Sequence, residues 1–268
     1  MFDWNAYLLA LGFVVLLAAA AWIFSIVRRD VSHVDSLWSL MILASLVFYL
    51  LISGVNGSRA NLVLVMVSVW ALRLSVHITV RNWGEGEDHR YRAIRENNEP
   101  HFWFKSLYIV FGLQAVLAWL VSLPAIAASS SASPLGWLDL AALVLWAVGL
   151  FFEALGDWQL LRFQRQANSA GTVLDRGLWR YTRHPNYFGE ALLWWGIYLA
   201  ALSAGSWWSI LSPVLMTFLL LRVSGVVLLE KDITGRRPAY RDYVQRTNAF
   251  FPGPPSSSRQ AKSSLNGV

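Results

Sequence analysis

The chain has 268 residues, 56% of them hydrophobic and only 14% charged, with a formal net charge of +6. That balance argues against a soluble domain, because the apolar residues run in stretches near the 20 or so that a bilayer-crossing helix needs. There is no cysteine, which excludes a disulfide framework, a thiolate metal site and a thiol nucleophile.

Seven stretches read as candidate spans: Leu8–Val27, Val34–Ile52, Asn61–Val80, Phe104–Ala128, Leu138–Leu155, Glu190–Ala204 and Ser206–Leu229. No basic residue precedes the first, and Arg28 and Arg29 directly follow it. That is the reverse of signal-peptide charge order and predicts a retained span with a cytoplasmic basic end. The loops Arg81–Lys105 and Leu161–Gly189 and the tail from Glu230 then fall on the same side and carry nearly all the Lys and Arg. The opposite loops hold only Arg59 and no basic residue between Ser129 and Gly136. The expected fold is all-α, a polytopic bundle of about seven transmembrane helices with the N-terminus out and the C-terminus cytoplasmic. A single membrane domain is expected over residues 1–255, with a Ser-rich disordered tail over 256–268.

Asp35 and His33 stand at the entrance to the second span, where Asp35 reads equally as an acid facing substrate and as a helix N-cap. In the third span Trp70, Arg73 and His77 share one helical face, at i, i+3 and i+7. An arginine at that depth faces protein, water or a ligand. It lines a site or pairs with a carboxylate such as Glu153 or Asp157. The next loop centres on Asp88, Arg90, Tyr91 and Arg92, either a solvated loop or a cap over a cofactor, with Tyr91 a candidate for chemistry.

The fourth span and the Ser-rich exit Ser129–Pro134 carry no expected chemistry. The fifth ends in Glu153, Gly156, Asp157 and Gln159, followed by Arg162 and Arg165. Glu153 and Asp157 stack on one face, four residues apart. His184 lacks the spaced partners a metal would need, so no metal is expected. Carboxylates accepting from ribose or amide donors suit a nucleotide better.

The stretch that organises the chain is Gly177–Gly196, GLWRYTRHPNYFGEALLWWG. Its polar half, Arg180 to Asn186, meets an apolar segment guarded by Glu190 and followed by Trp194 and Trp195. A positive-inside anchor with Pro185 in the first helical turn explains the arginines but does not call for Asn186 or Glu190. Ionisable groups at such a threshold are functional candidates. After the seventh span, Glu230 to Tyr243 interleaves carboxylates, arginines and tyrosines. Arginine forks suit phosphate and tyrosine rings suit flat heterocycles; the plainer reading is a salt-bridged helix on the membrane surface.

Tyr181-Thr182-Arg183-His184-Pro185-Asn186-Tyr187-Phe188-Gly189-Glu190, with Asp157 upstream and Glu230–Tyr243 downstream, resembles the membrane steroid 5-alpha-reductase family, including its bacterial branch. The resemblance spans the chain, with its motifs concentrated after Asp157. It implies NADPH-dependent hydride transfer to the C4–C5 double bond of a 3-oxo-delta-4 steroid, giving the 5-alpha-reduced 3-oxosteroid. It places Asn186 and Glu190 at the nicotinamide half, Trp194 on the same cavity and Asp157 as the fifth-span carboxylate. Arg237, Tyr240 and Tyr243 follow more loosely, in an alignment that needs gaps. Arg73, Arg162, Arg165, Tyr181, Arg183, His184, Tyr187, Glu230 and Asp232 complete the expected cofactor set. The steroid would enter from the bilayer of a bacterial inner membrane, the cofactor would bind on the cytoplasmic side, and the protein would be a monomer among membrane lipids. Nucleic acid is not an expected partner, since the basic residues are scattered over three loops.

One departure matters. Vertebrate members of that family polarise the ketone with a Glu–Tyr pair, the Tyr three residues before an Arg, and Trp70 stands at that position before Arg73. An indole N–H donates but is no acid here. Asp35, Trp70 and Tyr91 are therefore the catalytic candidates. Two other classes share features with the chain. Membrane methyltransferases using S-adenosylmethionine, acting on a lipid or isoprenylcysteine, have a similar Arg-His-Pro-x-Tyr-x-Gly signature. A non-catalytic sterol-binding protein would not require the cytoplasmic charge clusters.

Overall fold

Every regular element is helical in the computed structural model, which describes residues 1–166, 171–223, 226, 230 and 239–256. Helix α1 (Trp4–Arg28) starts where the Asp3 side chain accepts the Ala6 N–H at 3.0 Å, satisfying one of the amides a helix start leaves open. It stops at Arg29, whose left-handed backbone (φ 55°) turns the chain. Helix α2 (His33–Ser53) begins after Ser32, so Asp35 lies inside its first turn and is not the N-cap that its position allowed. Helix α3 covers Ser58–Asn82, α4 His89–Asn98 and α5 Phe102–Ser129, whose Leu107–Gly112 segment is a π-helical turn.

The fifth expected span, Leu138–Leu155, is part of a longer helix, α6 (Trp137–Gln164). Glu153, Asp157 and Gln159 end the apolar run but not the hydrogen-bond ladder, which polar side chains continue equally well. Helix α7 (Pro185–Ser203) likewise starts before Glu190, with Pro185 at its first position, where a missing N–H is no loss. Helix α8 runs over Trp207–Val223, and α9 is Ala239–Arg246. Helices α1, α2, α3, α5 and α6 are each long and apolar enough to cross a membrane. Large apolar side chains such as Leu8, Leu16, Val27 and Leu51 stand exposed along them. Surfaces of that kind belong in lipid, and the chain is built as an integral membrane protein.

The chain forms two compact units, residues 1–144 with 196–213 and residues 145–195 with 214–268. In the first, α2 packs against α1, α3 and α5, and α5 also meets α1 and α3. Polar seams hold these contacts: Ser45 bonds Ser122 at 3.0 Å, Ser39 donates to the Ala71 carbonyl at 2.8 Å, and Tyr7 and Trp119 each donate to the other's carbonyl. Small hydroxyls let helices approach while leaving no donor unsatisfied.

At the far end of this unit from the α4 connection, Arg59 and Asp139 are 1% and 2% exposed and meet at 2.8 Å. The remaining guanidinium N–H groups reach Ser133, the Pro134 carbonyl and Ser203. Asp139 also accepts the Gly136 N–H at 2.8 Å, the carboxylate half of a capping box at the start of α6. The Ser-rich exit that carried no expected role thus supplies acceptors to a buried arginine. Arg59→Met, which leaves Asp139 buried and alone, is expected to cost about 3–5 kcal/mol. Thermal unfolding in detergent should fall sharply for it and recover in part in Arg59→Met/Asp139→Leu, where no charge is stranded.

Candidate functional site

Two polar clusters hold the candidate residues, one in each unit. In the first unit the segment between α3 and α4 is stitched to the start of α2. The Asp88 N–H donates to Ser32 Oγ at 2.7 Å, and the Val31 N–H donates to Glu87, which also takes Arg95 at 2.7 Å. Asp88 caps α4 by accepting the Arg90 N–H at 2.9 Å. These bonds place Tyr91, buried on α4, against Asp35 on α2, its hydroxyl donating to Oδ1 at 2.5 Å. Arg90 donates to the other Asp35 oxygen at 2.7 Å and to both oxygens of Asp88. Gln114, just past the π-helical turn of α5, donates to the Tyr91 hydroxyl at 3.1 Å.

Burial, and then the adjacent Asp35 carboxyl, push the Tyr91 phenol well above its ordinary range, so it stays a proton-bearing donor. Burial opposes ionisation of Asp88, but its hydrogen bonds and charge interaction with Arg90 win and lower its pKa. His33, the other candidate beside Asp35, has its two ring nitrogens at 3.1 Å from the Asp30 and Ala21 carbonyl oxygens. Its place is structural. Trp70 is fully buried on α3, with Arg73 and His77 half-buried on the following turns.

In the second unit, α6 and α7 cross with backbones in contact. A Cβ on Gly189 would sit 2.4 Å from the Glu153 nitrogen, and one on Gly149 2.5 Å from the Leu193 nitrogen. Only glycine permits this approach. It brings the α6 carboxylates to the first turns of α7, where Asn186 Nδ2 donates to Asp157 Oδ1 at 3.0 Å. Glu153, Asp157, Glu190 and Trp194 are all buried. Asn186 Oδ1 is buried too, and has no hydrogen-bond partner among the described residues. Because Asp157 accepts, the amide orientation is set: Nδ2 faces the carboxylate and Oδ1 faces away.

Beside this cluster, Arg183 is saturated by the protein. Nε and Nη2 clasp Glu230 at 2.7 and 3.0 Å, and Nη1 donates to the Val244 and Thr247 carbonyls. His184 Nε2 lies 3.0 Å from Glu230 and its ring stacks on Tyr187. Burial alone would raise the Glu230 carboxyl, but hydrogen bonds from His184 and Arg183 and the Arg183 charge hold it at about 2. Burial, then the Glu230 charge, push Tyr240 up to about 12. The Tyr243 hydroxyl donates to the Trp179 carbonyl and closes the segment from below. Tyr181, Arg162 and Arg165 are exposed, Arg162 lying over the Trp158 ring. Asp232 and Arg237 lie outside the described residues.

The structure therefore joins Asp35 to Tyr91, Asp157 to Asn186, and Arg183 and His184 to Glu230. Sequence reasoning passed over Gln114 and treated Arg90 as a generic loop charge. It also passed over the Gly149–Gly189 crossing, for which small residues within apolar spans are the available signal.

The profile of the family described as "Protein of unknown function (DUF1295)" matches residues 21–247. An uncharacterized protein of Schizosaccharomyces pombe is 24% identical over 285 residues, an alignment covering 94% of this chain and 81% of the relative. No solved structure matches.

Glu230 yields a pH signature. Its carboxyl titrates near 4.5 when free and at about 2 when folded, so its contribution to stability is complete above the free value and drains as pH falls toward about 2. Melting temperatures measured from pH 5 down to 3 should drop less steeply in Glu230→Gln than in the native chain.

Proposed function

The chain belongs to the DUF1295 family, and we propose that it is an NADPH-dependent membrane reductase of the steroid 5-alpha-reductase type. Its substrate class is a 3-oxo-delta-4 steroid and its product the 5-alpha-reduced 3-oxosteroid. The observation that carries this reading is the bond from the Tyr91 hydroxyl to Asp35. The resembled family polarises its ketone with a carboxylate and a tyrosine, and this chain has Trp70 where that tyrosine would stand. A phenol on α4 and a carboxyl on α2 make up an equivalent pair from different elements.

In this mechanism the ketone oxygen would replace Asp35 Oδ1 as the acceptor of the single Tyr91 O–H, and negative charge grows on that ketone oxygen as the double bond is reduced. A donor fixed in advance at that oxygen lowers the barrier more than it tightens the ground state. Gln114, donating to the phenol oxygen, holds the Tyr91 side chain in place, and Arg90 holds Asp35 beside it. NADPH, when bound, would supply the hydride for the beta carbon, and the proton for the alpha carbon would come from water. The residues fit that cofactor at one atom in particular: a buried acceptor such as Asn186 Oδ1 calls for a donor, which the nicotinamide carboxamide provides. Asp157 orients Asn186, and Glu153, Glu190 and Trp194 line the same crossing. Exposed Arg162 and Arg165 suit a 2′-phosphate. Arg183 and His184 hold segment 177–190 against Glu230, and Arg183 also against the end of α9.

We further infer seven crossings, α7 and α8 being the sixth and seventh, with the N-terminus outside. The 19 residues of α7 rise about 28 Å, close to the hydrocarbon thickness. The distribution of Lys and Arg supports the orientation. Because the chain has no cysteine, single substitutions read sidedness directly. In intact cells, Ser131→Cys should react with a membrane-impermeant maleimide, and Ser256→Cys should react only after lysis; the opposite pattern inverts the topology.

The test of function begins with native mass spectrometry of the purified protein. A bound mass of NADP(H) supports the reading, and S-adenosylmethionine or its demethylated product transfers the chain to the methyltransferases. With NADPH and a testosterone- or progesterone-like enone, Tyr91→Phe and Asp35→Asn are expected to lower kcat about 10²–10³-fold, and Asn186→Ala to raise KM for NADPH. Native turnover in Tyr91→Phe would remove the pair from the mechanism. NADH supporting comparable rates would count against the phosphate assignment.

A further inference from the structure

A half-open cavity of about 280 Å³ lies between the last turn of α1, the end of α4 and the first turn of α5. That is at the small end for ligand pockets, about 300–1,000 Å³, and too small for a dinucleotide or a sterol. Its polar rim carries Arg29, Arg95 and Glu99, and its apolar wall Ile26, Phe102 and Trp103. Arg95 belongs to the first cluster described above through Glu87, whereas Arg29 and Glu99 do not.

The rim charges are not equivalent. Arg95 is already committed, donating to both oxygens of Glu87 at 2.9 and 2.7 Å and lying over the Phe102 ring. The Arg29 side chain makes no hydrogen bond or ion pair among the described residues, and its backbone at the end of α1 is left-handed. Glu99 is exposed and its carboxylate accepts no hydrogen bond among the described residues. The rim therefore holds one cation without a hydrogen bond or ion pair and one carboxylate that attracts Arg95 but accepts no hydrogen bond among the described residues. The two serines of the lining, Ser25 and Ser106, donate to the Trp22 and Trp103 carbonyls and have no proton to offer.

The apolar wall continues outward. Ile26 is 38% and Trp103 54% exposed, and their neighbours Val27 and Phe104 are exposed as well. Trp at the end of an apolar helix is the residue type that sits at the headgroup level of a bilayer. A ligand for this cavity must combine a phosphate-like anion, a cation with N–H donors and a hydrocarbon tail.

We propose that this cavity takes the headgroup of a phosphatidylethanolamine, its phosphate on Arg29 and its ammonium on Glu99, with the acyl chains lying outside it along the exposed Ile26 and Trp103. The ethanolamine headgroup meets both charges. A choline headgroup has no N–H for the carboxylate, and a glycerol headgroup has no cation for it.

The test uses the full chain, delipidated in detergent and mixed with equal amounts of palmitoyl-oleoyl phosphatidylethanolamine, phosphatidylcholine and phosphatidylglycerol before native mass spectrometry. The ethanolamine lipid is expected to be retained about tenfold over either of the others, the margin of one charged contact. Arg29→Asn, a residue that tolerates the left-handed backbone, should lower that retention about tenfold. Glu99→Gln should erase the advantage over phosphatidylglycerol. Both side chains lie outside the packed core, so melting temperatures should stay at the native value; if one variant fails to fold, the other reads the same site. Equal retention of the three lipids, or retention unchanged by both substitutions, overturns the proposal. Displacement of the lipid by excess inorganic phosphate alone also overturns it, in favour of a soluble-anion site.

Discussion

A polar group placed where water does not reach must find its partner inside the protein, and this demand organises the chain. Arg59, Arg90 and Arg183 are three answers to it. Arg59 is enclosed by Asp139, two serines and a proline carbonyl. Arg183 is enclosed by Glu230 and two carbonyls. Each links segments far apart in sequence, and in each the guanidinium fork offers enough donors to tie several strands of chain at once. The desolvation that makes such an ion costly alone also makes its loss costly once it is paired. These arginines therefore act as anchor points more than as free charges waiting for a ligand.

Arg90 differs in what it holds. It spans two carboxyl groups, Asp88 in its own connection and Asp35 on α2, and so carries the α4 segment to the start of a membrane helix. Tyr91 follows it into the protein. A phenol that is buried and faces a carboxyl keeps its proton. In the second unit Asn186 Oδ1, oriented by Asp157, has no hydrogen-bond partner among the described residues. Satisfied groups shape the two clusters.

The motif around Arg183 to Glu190 was legible because its residue types are rare at a membrane threshold. The same rule drew attention to Asp35, Arg73, Glu153 and Asp157. It could not tell an arginine that anchors from one that binds, because both are rare for the same reason. Arg183 has the residue type of a phosphate fork and the surroundings of a staple. Helix ends were legible only as far as hydrophobicity follows them: α6 and α7 extend past their apolar runs, since the backbone ladder tolerates Asp157 or Asn186 as readily as leucine. The Asp35–Tyr91 bond joins residues 56 apart and left no periodic trace.

By itself the sequence determined that the chain is helical and membrane-embedded, and where its polar thresholds lie, because composition and periodicity report what each segment can bury. Tertiary structure alone decided which polar groups meet. Pairing depends on helix register and close approach, as at Gly149 and Gly189, where the absence of two Cβ atoms lets one backbone reach another. No local pattern encodes that distance. It is set by two segments together, as are the partners of Asp157, the surroundings of Tyr91 and the enclosure of Arg59.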